Sequence, residues 1–319
     1  MKILLLGANG QVGFELQRAL APLGELVAAT RSGTLPGGIA CLRADLGDTD
    51  SLAAALSAAR WDLIVNAAAY TAVDRAEDEP ELAQRINAGA LGQIGAWAAR
   101  NGARVVHYST DYVFDGQGAR PCREDDAPAP IGAYGRSKLA GEVALVQSGC
   151  AHLILRTAWV YGARGGNFLR TMLRLARERE RLTVVDDQHG APTSSRLIAA
   201  TSAAILAQWL AGAAPRREHD SGAQWHDGIY NLVASGQTTW CEFARAIMAR
   251  AAAAGLIPRE IEVAPIRTAD FPTKARRPAY SVLDTRKLRE RFGVCLPDWR
   301  RGLDATLGEL AEMHAAQAR

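Results

Sequence analysis

Cysteine is scarce and unpatterned in this chain. The five residues Cys41, Cys122, Cys150, Cys241 and Cys295 are scattered through 319 positions, and no two form a CxxC pair. That excludes a disulfide framework and a thiolate zinc site, and it fits a reducing compartment. The six histidines show no ligand spacing, so no metal is expected. Long apolar runs are missing too. The first, residues 3–6, turns straight into a glycine-rich loop, too short for a membrane span or a secretion signal. An excess of one charge is also lacking: 37 basic residues against 34 acidic ones leave +3. That balance argues against a nucleic-acid surface. The expectation is a soluble cytoplasmic enzyme with a small-molecule partner, neither membrane nor nucleic acid.

What is present alternates regularly. Residues 1–6, 26–29, 62–66, 104–109 and 152–157 are short apolar runs that predict strands. Between them, helical periodicity runs through Val12, Leu16 and Leu20, and over residues 51–59, 80–100 and 137–147. Buried strands alternating with amphipathic helices predict an α/β fold with a doubly wound parallel sheet, the Rossmann arrangement. Further on, a helix is expected over 168–181, a strand over 182–186, an exposed connection over 212–228 and a strand over 229–233. Thr239 and Glu242 read as a capping box opening a helix through Ala253, and a last helix begins near Arg300. Residues 1–155 form the expected dinucleotide-binding domain, with 182–211 returning to it. Residues 156–181 and 212–319 mainly make a smaller α/β substrate lobe.

Gly7, Gly10 and Gly13 stand between the first strand and the first helix in a GxxGxxG pattern. Such glycines permit a tight turn, close approach to a pyrophosphate and close helix–strand packing, and the helix N-terminus presents N–H groups to phosphate. The second strand ends in Thr30-Arg31 without a carboxylate for the ribose hydroxyls. Arg31 suits a 2′-phosphate, hence NADPH; as a solvated loop charge it would leave NADH equally acceptable. Asp45 and Leu46 are placed to reach the adenine, and the small residues 66–69 leave room at the same rim.

Thr110 follows an apolar run and so lies at the carboxyl end of a strand, where open α/β sheets bind ligands. Tyr134 and Lys138 are four residues apart at the start of a helix, which places them on one face. A lysine ammonium beside a phenol is expected to lower its pKa. Tyr134 can then protonate a carbonyl oxygen that Thr110 also holds, while hydride arrives at carbon. Lys274, Arg276 and Arg277 precede a proline in the second lobe. Arg277 is the candidate ligand for a substrate diphosphate, with a solvated loop as the other reading.

These motifs, together with the runs beginning at Val65, Tyr108, Leu155, Asp187, Ala275 and Leu296, give a chain that resembles the dTDP-4-dehydrorhamnose reductase family of the extended short-chain dehydrogenases over nearly its whole length. The resemblance implies NAD(P)H-dependent reduction of the 4-keto group of dTDP-6-deoxy-L-lyxo-4-hexulose to dTDP-L-rhamnose, with Thr110, Tyr134 and Lys138 as the triad. It assigns cofactor contacts to Gln11, Val12, Asp45, Leu46, Ala69, Tyr70, Thr71 and Tyr108, beside the glycines. It assigns sugar-nucleotide contacts to Thr110, Asp111, Tyr134 and Trp159, although Trp159 by itself equally suits core packing.

One departure bears on metal. Some members hold magnesium at a homodimer interface with three glutamates. Glu15 and Glu309 match two of these, but the third position is Arg196. A guanidinium there opposes a cation and offers a direct partner to a glutamate. The alternatives within the superfamily are another nucleotide-sugar ketoreductase or an epimerase. Outside enzymes, the alternative is a non-catalytic NADP-binding regulatory subunit, against which the intact triad argues.

Overall fold

A computed structural model of the chain describes residues 1–212 and 227–317. Residues 213–226, most of the connection expected at 212–228, lie outside the described residues. In chain order the first half comprises β1 (Lys2–Leu6), α1 (Gln11–Leu20), β2 (Glu25–Thr30), β3 (Leu42–Arg43), α2 (Thr49–Ser57), β4 (Leu63–Asn66), α3 (Pro80–Gln84), α4 (Ala90–Asn101), β5 (Arg104–Thr110), α5 (Ala133–Gln147) and β6 (His152–Thr157). The second half comprises β7 (Val160–Tyr161), α6 (Phe168–Glu178), β8 (Arg181–Val185), β9 (His189–Gly190), β10 (Thr193–Ser194), α7 (Ser195–Gly212), β11 (Gly228–Asn231), β12 (Thr238–Thr239), α8 (Trp240–Ala253), β13 (Glu262–Ile266), α9 (Arg286–Phe292) and α10 (Trp299–Gln317).

Seven strands form one sheet in the order β11-β6-β5-β4-β1-β2-β3, and each pairing is parallel. Strand order reverses between β1 and β4, and the crevice at their carboxyl ends is where a doubly wound sheet takes a ligand. Alternation within β1 explains why its sequence is uniformly apolar. Ile3 and Leu5 pack with Leu16 of α1 and Ile198, Ile205 and Trp209 of α7. Leu4 and Leu6 pack with Leu52 of α2 and Leu91 and Ile94 of α4 on the other face. Both faces are covered, so no polar alternation survives.

The helix expected over 80–100 is interrupted in its second turn. Residues Arg85–Gly89 form a π-helical turn joining α3 to α4. Asn87 there turns its carboxamide onto the Tyr70 backbone, accepting from N–H at 2.9 Å and donating to C=O at 3.0 Å, and donates also to Ser137. Such insertions recur at functional sites.

A second core gathers Leu169 and Met172 of α6, Leu182 of β8, Phe243 and Ile247 of α8, and Trp299 and Leu303 of α10. Thr239 caps α8 by accepting the Glu242 N–H at 3.1 Å. The Glu242 carboxylate accepts from the Thr238 hydroxyl instead of closing the box. Strand β11 belongs to the large sheet, beside β6, so the chain after residue 212 serves both cores.

Candidate active site

The glycine turn is built for close approach. Gly7 has φ +75, and a Cβ there would lie 2.7 Å from the Ala68 nitrogen. A Cβ on Gly13 would lie 2.0 Å from the Gly7 carbonyl oxygen. Gly10 caps α1 with extended backbone and no side chain, which leaves the first N–H groups of the helix, from Gln11 and Val12 on, facing outward. The Gln11 side chain crosses to the second lobe, donating to the Gly166 carbonyl at 3.3 Å and accepting from Asn167 at 2.9 Å.

Along the rim, Thr30 is fully buried and donates to the Thr34 carbonyl, while Arg31 beyond it is exposed. Asp45 accepts the Gly47 N–H at 2.9 Å, and Leu46 is buried beside it. Ala69 and Tyr70 are half-buried and Thr71 is exposed at the end of β4. The Tyr70 hydroxyl donates to Glu79 at 2.7 Å. Tyr108 behaves differently from the rest. Its ring points into the core, where the hydroxyl donates to Ser202 at 2.8 Å, so only its carbonyl faces the site.

Thr110 ends β5 and caps the short turn Asp111–Val113, its Oγ1 accepting the Tyr112 N–H at 3.2 Å and donating to Asp111 at 2.9 Å. Asp111 is buried, which pushes its carboxyl up to about 6 against the hydrogen bonds from Ser281 and Thr110. Its Oδ2 has no hydrogen-bond partner among the described residues. Tyr134 and Lys138 share α5, as their spacing requires. The Thr110 hydroxyl faces the phenol, and the Tyr112 ring meets the Tyr134 ring edge-on at 5.6 Å.

The electrostatics differ from the expectation. Burial first, then the charges of Asp111 and Tyr112, push the Tyr134 hydroxyl above its usual range, and only Thr110 opposes them. The Lys138 amine is engaged elsewhere: Nζ donates to the Tyr108 carbonyl at 2.7 Å and lies 2.9 Å from His107 Nε2. Burial lowers Lys138 to about 7. His107 carried no motif. Its signal was strand alternation: Val106 and Tyr108 face one core, which turns His107 toward α5.

From the second lobe, Trp159 carries the only positive φ outside glycine among the described residues, +47. Such backbone costs about 1–3 kcal/mol and collects at ligand-binding positions. Its indole stacks on Trp240 with centroids 3.6 Å apart and lies against Gly190, where a Cβ would meet it at 2.4 Å. Trp240 opens α8 and had no motif to mark it. Arg277 donates to Asp74 at 2.6 Å, and its Nη1 is buried without a partner among the described residues. Lys274 pairs with Asp78, and Arg276 is exposed, so of the three basic residues Arg277 is the one turned inward.

Arg196 meets both glutamates within one chain, Glu309 at 2.8 Å and Glu15 at 3.7 Å. A cationic fork between two carboxylates uses the charge a divalent ion would need, so this donor set does not fit magnesium.

The chain matches the family model described as RmlD substrate binding domain over residues 1–312. It is 47% identical over 312 residues to a dTDP-4-dehydrorhamnose reductase of Burkholderia thailandensis, covering 97% of this chain and 99% of that one. It is 46% identical to the enzyme of the same name from Escherichia coli, covering 97% and 98%. A crystal structure of the Bacillus anthracis dTDP-4-dehydrorhamnose reductase in complex with NADP superposes with a TM-score of 0.82 at 32% identity, covering 97% of this chain and 99% of that chain.

Proposed function

This chain belongs to the dTDP-4-dehydrorhamnose reductase family, and from this we propose that Thr110 and Tyr134 hold and protonate the 4-keto oxygen of dTDP-6-deoxy-L-lyxo-4-hexulose during its NADPH-dependent reduction. The observation that carries the assignment is the convergence of Thr110, Asp111, Tyr134 and Lys138 around the end of β5.

The glycine cradle of Gly7 and Gly13 fits a dinucleotide diphosphate, since side chains at either position would fill it. Bound NADPH supplies the hydride. Arg31, exposed beyond a second strand that ends without a carboxylate, suits the 2′-phosphate. The remaining chemistry belongs to the chain. With substrate present, the Thr110 hydroxyl turns its one hydrogen from Asp111 to the keto oxygen and fixes its direction. Tyr134 gives that oxygen its proton, and a phenol pushed above its usual range stays protonated for the task across neutral pH. The unpartnered Asp111 Oδ2 accepts a sugar hydroxyl, Trp159 walls the deoxysugar, and the unpartnered Arg277 Nη1 reaches the substrate diphosphate.

The test mixes the protein, NADPH and the 4-keto-6-deoxy dTDP-sugar and follows absorbance at the reduced-nicotinamide band. Oxidation should fall on the order of 100-fold or more in Tyr134→Phe. A variant as fast as the parent removes Tyr134 from the mechanism.

A further inference from the structure

Trp159 and Trp240 are not ordinary core tryptophans. Trp61, Trp209 and Trp299 are at most 2% exposed, whereas these two are each half-buried. Strand pairing brings them together. β12 runs antiparallel to β9, which sets Thr238 opposite Gly190 and Thr239 opposite His189. The two β-branched threonines suit a strand, and the second also ends it. The Thr239 hydroxyl accepts the Glu242 N–H at 3.1 Å and donates to Asp186, which starts α8 at the next residue. Trp240 is therefore the first residue of the helix, directly beyond the strand that flanks Gly190.

The helix keeps Trp240 in place. Cys241 and Phe243 beside it are wholly buried, so the first turn of α8 has no room to slide. Phe168, the first residue of α6, packs on the same indole with centroids 4.6 Å apart. Trp159 is anchored less well by its own backbone. It sits at φ +47, a region that a bulky side chain ordinarily avoids. Gly190 leaves the room that Cε2, Nε1 and Cζ2 of its indole occupy, and the Trp240 ring lies against it with planes 7° from parallel. The Trp159 side chain also packs on the cluster containing Val113, the last residue of the turn that Thr110 caps.

We propose that Trp240 is a positioning residue for the sugar pocket, a fixed flat support that holds the Trp159 indole at the orientation in which it walls the deoxysugar. The proposal rests on the reading of Trp159 as that wall. A stacked neighbour restricts rotation of the indole about its side-chain bonds, and it supports a backbone conformation that would otherwise relax. An aliphatic residue at position 240 can fill space but presents no flat face. The cost of losing the stack therefore falls on the sugar nucleotide. The glycine turn that cradles the dinucleotide is built from β1 and α1 and shares none of these contacts.

The experiment is calorimetric binding of dTDP-L-rhamnose to protein saturated with NADP⁺, which involves no turnover. Trp240→Leu should raise the Kd about three- to tenfold, and Trp240→Phe, which restores a ring, should recover part of that loss. In the reductase assay the KM for the sugar nucleotide should rise by a similar factor, with kcat changed less than about twofold. The critical arm adds Trp159→Ala. Because Trp240 acts through Trp159, the double variant Trp159→Ala/Trp240→Leu should bind no worse than Trp159→Ala alone. Losses that add, or a Trp240→Leu protein that binds like wild type, reject the role of Trp240. An equal loss of NADP⁺ affinity marks general damage and rejects it too. Trp240→Met, flexible and equally without a flat face, carries the same arms should the leucine variant not fold. A Trp159→Ala protein that binds like wild type removes the wall itself, a failure of the underlying reading that is seen without touching Trp240.

Discussion

Glu142 and Arg156 form a two-pronged ion pair sealed inside the protein, with 2% of either side chain exposed. Arg156 Nε and Nη2 reach the two carboxylate oxygens at 2.9 and 2.7 Å, and the guanidinium lies over Phe114 at 5.1 Å. The pair ties α5, which carries Tyr134 and Lys138, to β6. Removing one member strands the other without solvent. Arg156→Met is expected to cost about 3–5 kcal/mol in denaturant unfolding, and the double variant Arg156→Met/Glu142→Leu should recover much of that. A single variant as stable as wild type would show the pair to be solvated.

The bridge from Arg196 to Glu15 and Glu309 joins α7 to α1 and α10 without metal. The two glutamate side chains are only 11% and 16% exposed, against 49% for Arg196. Arg196→Gln should lower stability by about 1 kcal/mol, seen as a Tm drop of about 2–4 °C. Wild-type Tm should not respond to EDTA or magnesium. Arg196→Glu, which sets three carboxylates together, should be less stable still and should recover with added magnesium. A wild-type Tm that falls in EDTA would contradict this account.

Asp111 is a case in which the site opposes the fold. Its carboxyl rises from 3.8 unfolded to about 6 in the protein, so the native state binds the extra proton between those values. The relative stabilisation is therefore fully present below 3.8 and is lost as pH rises through 6. Asp111→Asn should then gain stability at pH 8, by roughly 3 kcal/mol at most, with the gain shrinking toward pH 4. The same variant should lose reductase activity. A gain of equal size at pH 4 and pH 8 would mean that burial of the charge is not its source.

The Trp159 indole occupies the space a side chain at position 190 would need. Gly190→Ala should displace the ring from its stack on Trp240. The expected result is a KM for the sugar nucleotide about tenfold higher, equivalent to ~1.4 kcal/mol, with NADPH affinity by fluorescence titration little changed. Equal losses for both ligands would place Trp159 outside the sugar pocket.

The sequence by itself determined whatever depends on a single element or turn. Gly7, Gly10 and Gly13 define a turn by their backbone requirements, and Tyr134 and Lys138 share a face because 3.6 residues make a helical turn. Thr110 ends a strand because the apolar run stops there. What tertiary structure decided involves partners far apart in the chain. Asn66 meets His107 across 41 residues. Trp240 meets Trp159, and Arg196 lies near one glutamate at each end of the chain. The same packing turned the Tyr108 ring into the core and Lys138 away from the phenol it was expected to acidify. The reason is physical: local spacing fixes direction within an element, but the burial and donor count that set a side chain's charge arise only when separate elements close around it.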